Sequence, residues 1–210
     1  MKLPNSEHER RPWRIHELVP DFTLEDVWAL PMRGGPDDFQ GVLELAGSFD
    51  PSKAESAPTR FLWNLRDRLG VWFDLGEVLA PVEGKEPGEL PIPGSTETSL
   101  RDRVPADLCG TAAGFAFGSL PFVPLYRTDR EAAAELSNKT VHGVAHLGWV
   151  DLGDGRYEGR MAVYVKPRGT FGRAYMALIK PFRYWIVYPA LMRQMERTWD
   201  ALSRGAASAR

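Results

Sequence analysis

Residues 140–166 read TVHGVAHLGWVDLGDGRYEGRMAVYVK. Two runs of β-prone residues flank Gly153-Asp154-Gly155, and such a glycine-rich turn between alternating runs signals a hairpin. With Asp154 at the turn centre, Trp149 faces Gly159, Leu147 faces Met161, Ala145 faces Val163 and Gly143 faces Val165. Side chains alternate sides along a strand, so this odd-numbered face is apolar throughout and narrows from large residues to small ones. The even-numbered face sets His142 opposite Lys166, Val144 opposite Tyr164 and Gly148 opposite Arg160, and reads as the polar side. An apolar sheet face must be covered. The predicted cover is a long helical stretch from Thr170 to about Ser203, bent by Pro181 and Pro189, with Tyr175, Leu178, Phe182, Ile186, Met192, Met195 and Trp199 as its apolar stripe. Gly143, Ala145 and Gly159 leave room beneath it, which either helix aromatics or a ligand would fill.

Outward from the hairpin the signals weaken. Trp13 to Val19 reads as a short strand. Thr23-Leu24-Glu25-Asp26 resembles a capping arrangement that opens a helix through Val27, Trp28 and Leu30, with Pro31 as its stop. Asp37 caps a second helix carrying Phe39, Val42, Leu43 and Ala46. A third, from about Pro58, places Phe61, Leu62, Leu65, Leu69 and Trp72 at helical spacing. Residues 80–98 are rich in Pro, Gly and Glu and read as a long loop. Phe122 to Arg127 is an edge-strand candidate because Pro124 interrupts it, and Asp129 to Ser137 has helix propensity. The whole chain is expected to form one domain, with polar tails at 1–11 and 204–210.

Composition removes several classes. The 210 residues carry 43% hydrophobic and 26% charged side chains, ordinary for a globular chain. Ten Phe, seven Trp and 17 Pro exclude disordered and coiled-coil classes, and one cysteine, Cys109, excludes a disulfide framework. The polar start MKLPNSEHERRPWR has no apolar signal core, and no run of 18 uncharged apolar residues occurs, so a cytoplasmic location is expected. Residues 156–210 hold eleven Lys/Arg against Glu158, Glu196 and Asp200, whereas residues 1–155 hold fifteen basic and 25 acidic residues. No basic run is long enough for a nucleic-acid tail, so nucleic acid is not an expected partner.

Few residues offer chemistry. His142 and His146 are four apart, but on a strand that spacing separates them by about 13 Å, too far for one metal ion. No metal or cofactor is expected, and the two histidines read best as surface or subunit-interface residues. Lys166, Arg168 and Arg173, around Gly169 and Gly172 at a helix start, have the makings of an anion site. Cys109 lacks a nearby base and reads as a small buried or half-buried residue. Leu100-Arg101-Asp102-Arg103-Val104-Pro105 reads as a loop held by ion pairs. Asn138-Lys139-Thr140 is a formal glycosylation sequon without meaning in a cytosolic chain.

Gly169-Thr170-Phe171-Gly172-Arg173-Ala174-Tyr175, followed by Ile179-Lys180-Pro181-Phe182 and Ile186-Val187, resembles the closing signature of bacterial proteins grouped as domain of unknown function 2867. SNKTVHGVAHLGWV and LRDRVPADL are similar to that group as well, over about residues 10 to 200. Arg183 stands where many members carry His. The resemblance implies an α+β, START-like (SRPBCC) helix-grip fold: a curved antiparallel sheet wrapped around a long C-terminal helix, often around an apolar cavity. It brings no catalytic residues with it.

The first expected function is therefore binding of a hydrophobic or amphipathic small molecule by Gly143, Ala145, Leu147, Trp149, Met161, Val163, Tyr175 and Phe182. A second is a cyclase- or isomerase-type enzyme using the same cavity, with Tyr126, Tyr164 or His146 moving protons. A third is a peripheral membrane-surface protein, with Tyr175 to Met195 in the interface and Lys180, Arg183 and Arg193 on headgroups.

Overall fold

A computed structural model describes residues 1–48, 99–117, 122–137 and 141–208. The proposed helix from Pro58, the loop at 80–98 and the sequon at 138–140 lie outside these residues, as do the side chains of Phe182 and Ile186.

Six strands form one antiparallel sheet: β1 (Lys2–Leu3), β2 (Thr23–Gly34), β3 (Val123–Arg127), β4 (Glu131–Ser137), β5 (Val141–Gly153) and β6 (Arg156–Pro167). Their spatial order is β1-β2-β6-β5-β4-β3. Among the described residues five α-helical segments accompany the sheet: α1 (Ser6–Glu9), α2 (Ile15–Leu18), α3 (Phe39–Gly47), α4 (Gly169–Phe182) and α5 (Tyr188–Ser208). The architecture is α+β.

The hairpin register is the one read from the sequence. Trp149 pairs with Gly159, Leu147 with Met161, Ala145 with Val163 and Gly143 with Val165, while His142 meets Lys166 and Gly148 meets Arg160. Gly153, Asp154 and Gly155 all have positive φ, at 94°, 56° and 72°, so the turn needs residues that tolerate left-handed backbone. β3 is an edge strand, with its register slipping between Pro124 and Tyr126.

Three secondary-structure expectations fail. Residues 23–34 form strand β2 instead of a helix, and Pro31 sits where the register with β6 slips between Ala29 and Arg33; a residue without an N–H is tolerated at a bulge. Residues 131–137 form a fully paired strand, because tertiary pairing outweighs the helix propensity of three alanines. Trp13 to Val19 contains helix α2 rather than a strand. The N-terminal stretch is no tail: Lys2 and Leu3 pair with β2, and His8 is buried.

Both sheet faces are covered. The odd-numbered face carries Trp28, Leu30, Met32, Ala132, Ala134, Ala145, Leu147, Trp149 and Met161 beneath Phe39, Val42 and Leu43 of α3 and Tyr188, Met195 and Trp199 of α5. The even-numbered face is also interior, with Ile15, Leu18, Val27, Leu100, Leu108, Tyr126, Val144, Ala162 and Tyr164 in one cluster.

The C-terminal helix covers only with its second half. A π-turn over Arg183–Val187 follows Pro181 and divides α4 from α5, as expected where proline removes a helical hydrogen bond. Met195 and Trp199 of the expected stripe are buried, whereas Leu178 is 67% exposed.

Candidate functional site

The odd-numbered face differs between its two ends. Near the hairpin turn it is filled: a Cβ on Gly159 would lie 3.4 Å from Leu30 Cβ and Cδ1, and the Trp149 ring packs near Tyr157, Phe39 and Trp199. Towards the other end the floor is lower: Ala134 of β4 pairs with Ala145 of β5, and Gly143 lies between Leu136 of β4 and Val165 of β6. A Cβ on Gly143 would meet only backbone oxygens, of Tyr164 at 3.8 Å and Leu136 at 3.9 Å, and no side chain among the described residues. Gly143 and Val163 are half-buried there.

A polar cluster borders this floor. The bulge between Leu24 and Asp26 turns Asp26 into register with Val163, and its carboxylate is completely buried. It accepts from Trp28 Nε1 at 3.0 Å, Arg183 Nη2 at 3.0 Å and the Tyr188 hydroxyl at 3.2 Å. The guanidinium of Arg183 also touches the Tyr188 hydroxyl. Burial pushes the Asp26 carboxyl above its usual pKa, opposed by the charge of Arg183. Arg183 is thus tied to the sheet and does not point to a headgroup.

The even-numbered face corrects the reading of a polar, open side. His142 and His146 are both buried, at 1% exposure, each against a carboxylate of β4. His142 Nε2 lies 2.9 Å from Glu135, and His146 Nε2 lies 2.9 Å from Glu131. Each carboxylate also holds a covering segment. Glu135 accepts from the Leu100 N–H at 3.1 Å and from the Ser99 hydroxyl, whereas Glu131 accepts from the Arg14 N–H at 3.0 Å and the Tyr126 hydroxyl at 2.8 Å. A buried carboxylate is retained when its lone pairs are satisfied in this way.

Tyr126, His146 and Tyr164, the polar candidates from the sequence, are therefore together, but across the sheet from Gly143, Ala145, Leu147, Trp149, Met161 and Val163. One cavity cannot use both sets. Around His146 stand rings of His8 at 4.9 Å and Trp13 at 5.3 Å between centroids. Tyr164 donates to His16 Nδ1 at 3.2 Å, a tautomer fixed by the His16 Nε2 donation to the Arg11 carbonyl at 3.1 Å. Burial lowers the pKa of His146, only partly offset by Glu131. His8 is pushed down to about 2, first by burial and then by the charges of His146, His16, Arg11 and Arg160. Burial acts to raise the Glu131 carboxyl, but the interactions with His146, the Arg14 N–H and the Tyr126 hydroxyl together leave its pKa below the usual value. A neutral His146 thus donates Nε2–H to an ionised Glu131. The carboxylates were missed because β4 looked helical; as a strand, Glu131 and Glu135 repeat the spacing of His146 and His142 across the ladder.

The anion-site candidates are engaged or scattered. Lys166 pairs with Asp21 at 3.1 Å, Arg168 donates to Ser137 Oγ at 2.7 Å, and Arg173 is exposed on α4. Tyr175 is half-buried on α4. Arg103 holds Asp21 and the Leu18 carbonyl, so the ion pairing expected at 100–105 reaches across to residues 18–21. Cys109 is exposed rather than buried. A separate surface cleft of about 640 Å³ lies between the start of α3 and the β3–β4 turn, with Asp37, Gln40, Arg127 and Arg130 on its lining.

Fold and site define an α+β protein with one antiparallel sheet, an apolar face with a small-residue floor and a sealed polar face. The chain belongs to the family described as protein of unknown function DUF2867, whose family model matches residues 18–190. No curated protein and no solved structure matches it. Among the described residues, no helix is long and apolar enough to cross a membrane.

Proposed function

We propose that this protein binds a hydrophobic or amphipathic small molecule against the odd-numbered sheet face, over Gly143, Ala145 and Val163. The reading treats the chain as a helix-grip protein in which the C-terminal helix closes one end of the sheet and a ligand occupies the other. The observation that carries it is the contrast at two glycines of one face: Leu30 fills the space over Gly159, and no described side chain fills the space over Gly143. The same core cluster holds two groups of aromatic rings, Phe115 with Phe117 and Phe122, and Trp28 with Tyr184 and Tyr188. The Asp26–Arg183–Tyr188 cluster beside Val163 would meet the polar end of an amphipathic molecule, since a mostly apolar site takes its orientation from a few fixed polar groups.

Native mass spectrometry of freshly purified protein, with titration of an apolar fluorescent probe, tests this. Wild type should carry a ligand or take up the probe. Ala145→Leu should abolish uptake while costing less than about 1 kcal/mol, below the usual range for overpacking a filled core. A wild type that carries nothing and ignores a broad probe panel would overturn the reading.

A further inference from the structure

Two large apolar side chains stand exposed on the segment from α4 through the π-turn. Leu178 is 67% exposed and Trp185 is 81% exposed, and both lie on the α4 and π-turn segment. Ala174, Ala177 and Pro181 are exposed with them. At 100° per residue, Ala174, Ala177, Leu178 and Pro181 fall on one side of α4, and Arg173 and Lys180 fall along one edge of that stripe.

Within its own stretch of sequence the stripe carries charge of one sign, with Glu25 of β2 beside Lys180 as the spatial exception. From Gly159 to Met195 the chain holds no Asp or Glu and seven Lys or Arg. Cations from two elements meet at Tyr184, the residue before Trp185: Lys2 Nζ of β1 lies 4.2 Å from the Tyr184 ring centroid, and Lys180 Nζ of α4 lies 5.8 Å from the same ring. Lys180 also pairs with Glu25 at 2.9 Å yet stays 46% exposed. Arg173 is exposed and has no carboxylate partner among the described residues.

We propose that α4 and its π-turn form a docking face for an anionic bilayer surface, with Leu178 and Trp185 entering the interface and Lys2, Lys180 and Arg173 lying at the lipid phosphates. A helix with one aromatic-bearing apolar face and a cationic edge lies in the interface plane and gains from both terms. Indole rings favour the headgroup level. The face differs from the one expected of residues 175–195 as a whole, because Arg183, Tyr188 and Met195 are committed to the sheet. Its exposed residues Leu178, Trp185 and Arg173 are not among those assigned to the ligand site, although the Tyr184 ring borders both.

The test is co-sedimentation of the full chain with 100-nm vesicles of 30% phosphatidylglycerol in phosphatidylcholine, against pure phosphatidylcholine. Wild type should sediment with the anionic vesicles and lose about fivefold in partitioning for each of Lys2→Gln and Arg173→Gln, as for a basic residue near a charged surface. Trp185→Ser and Leu178→Ser should lower partitioning about tenfold or more, with far-UV circular dichroism and probe uptake unchanged. Equal sedimentation with both vesicle types, or unaltered partitioning of Trp185→Ser, would overturn the proposal. So would concentration-dependent dimerisation that Trp185→Ser abolishes in the absence of vesicle binding, since a second copy would then be the partner.

Discussion

The two faces of the sheet bury similar amounts of strand by opposite means. The odd-numbered face is held by shape: Leu30, Phe39, Trp149, Tyr157 and Trp199 pack together at the hairpin end, and towards the other end the strands carry Ala134, Ala145 and Gly143. The even-numbered face is held by hydrogen bonds, with Glu131 and Glu135 each joining a β5 histidine to the backbone of a covering segment. Packing tolerates a gap at moderate cost, whereas a buried carboxylate tolerates no missing partner. The face that can afford an opening is therefore the apolar one, and the polar face acts as the clasp that holds residues 14–18 and 99–103 in place.

The sharpest way to break this comparison is to remove a clasp. Glu135→Ala leaves the His142 imidazole, the Ser99 hydroxyl and the Leu100 N–H without their acceptor. The expected loss is about 3–5 kcal/mol, the range for deleting one partner of a buried pair. Urea melts measure it directly. A loss below about 1 kcal/mol would show that the carboxylate is dispensable and that this face, too, is held by shape.

Acid should separate the faces next. Unfolded histidine takes up its proton near pH 6.5, but folded His8 does so only near 2 and folded His146 also below its ordinary value. Below pH 6.5 the unfolded chain thus binds more protons, and stability falls with pH by about 1.4 kcal/mol per unit for each such histidine. Glu131, also depressed, adds to the loss below its ordinary value of 4.5. The raised pKa of Asp26 works in the opposite sense near its own ordinary value of 3.8, so the comparison belongs between pH 7.5 and 5.5. Urea midpoints should drop over that interval, and His8→Leu should flatten the drop. An unchanged slope in His8→Leu would remove His8 from the account.

The sequence made the shape-held face legible and hid the other. Gly153-Asp154-Gly155 fixed the register because a two-sided turn of left-handed residues leaves one pairing. β2 was misread because both of its faces are buried, so Val27, Trp28, Leu30 and Met32 show no polar alternation, and Thr23 to Asp26 imitates a helix start. β4 was misread because Ala132, Ala133 and Ala134, which serve as a low floor on one face and a close contact on the other, are also the strongest helix formers. With β4 hidden, Glu131 and Glu135 had no strand on which to meet His146 and His142, and the histidines looked like surface residues. The exposure of Leu178 was equally hidden, because a stripe drawn through residues 175–199 cannot show that Pro181 and the π-turn detach its first half.

The smallest effect distinguishes the two ends of the apolar face, and it is read by adding a small side chain at each. At Gly159 a Cβ would stand 3.4 Å from two atoms of Leu30 inside a filled core, so Leu30 must give way; Gly159→Val, with two further methyls, should cost about 1–3 kcal/mol as overpacking. At Gly143 a Cβ would make ordinary contacts at 3.8 and 3.9 Å, and the backbone there is not left-handed. Gly143→Ala should then leave stability unchanged or raise it by about 0.4–1 kcal/mol through the unfolded chain's lost freedom. Its effect should appear in binding instead, as a measurable weakening of apolar-probe uptake at unaltered melting temperature. Should Gly143→Ala destabilise as much as Gly159→Val does, the space over Gly143 is already occupied by the protein itself, and the two ends of the face do not differ in the way the ligand site requires.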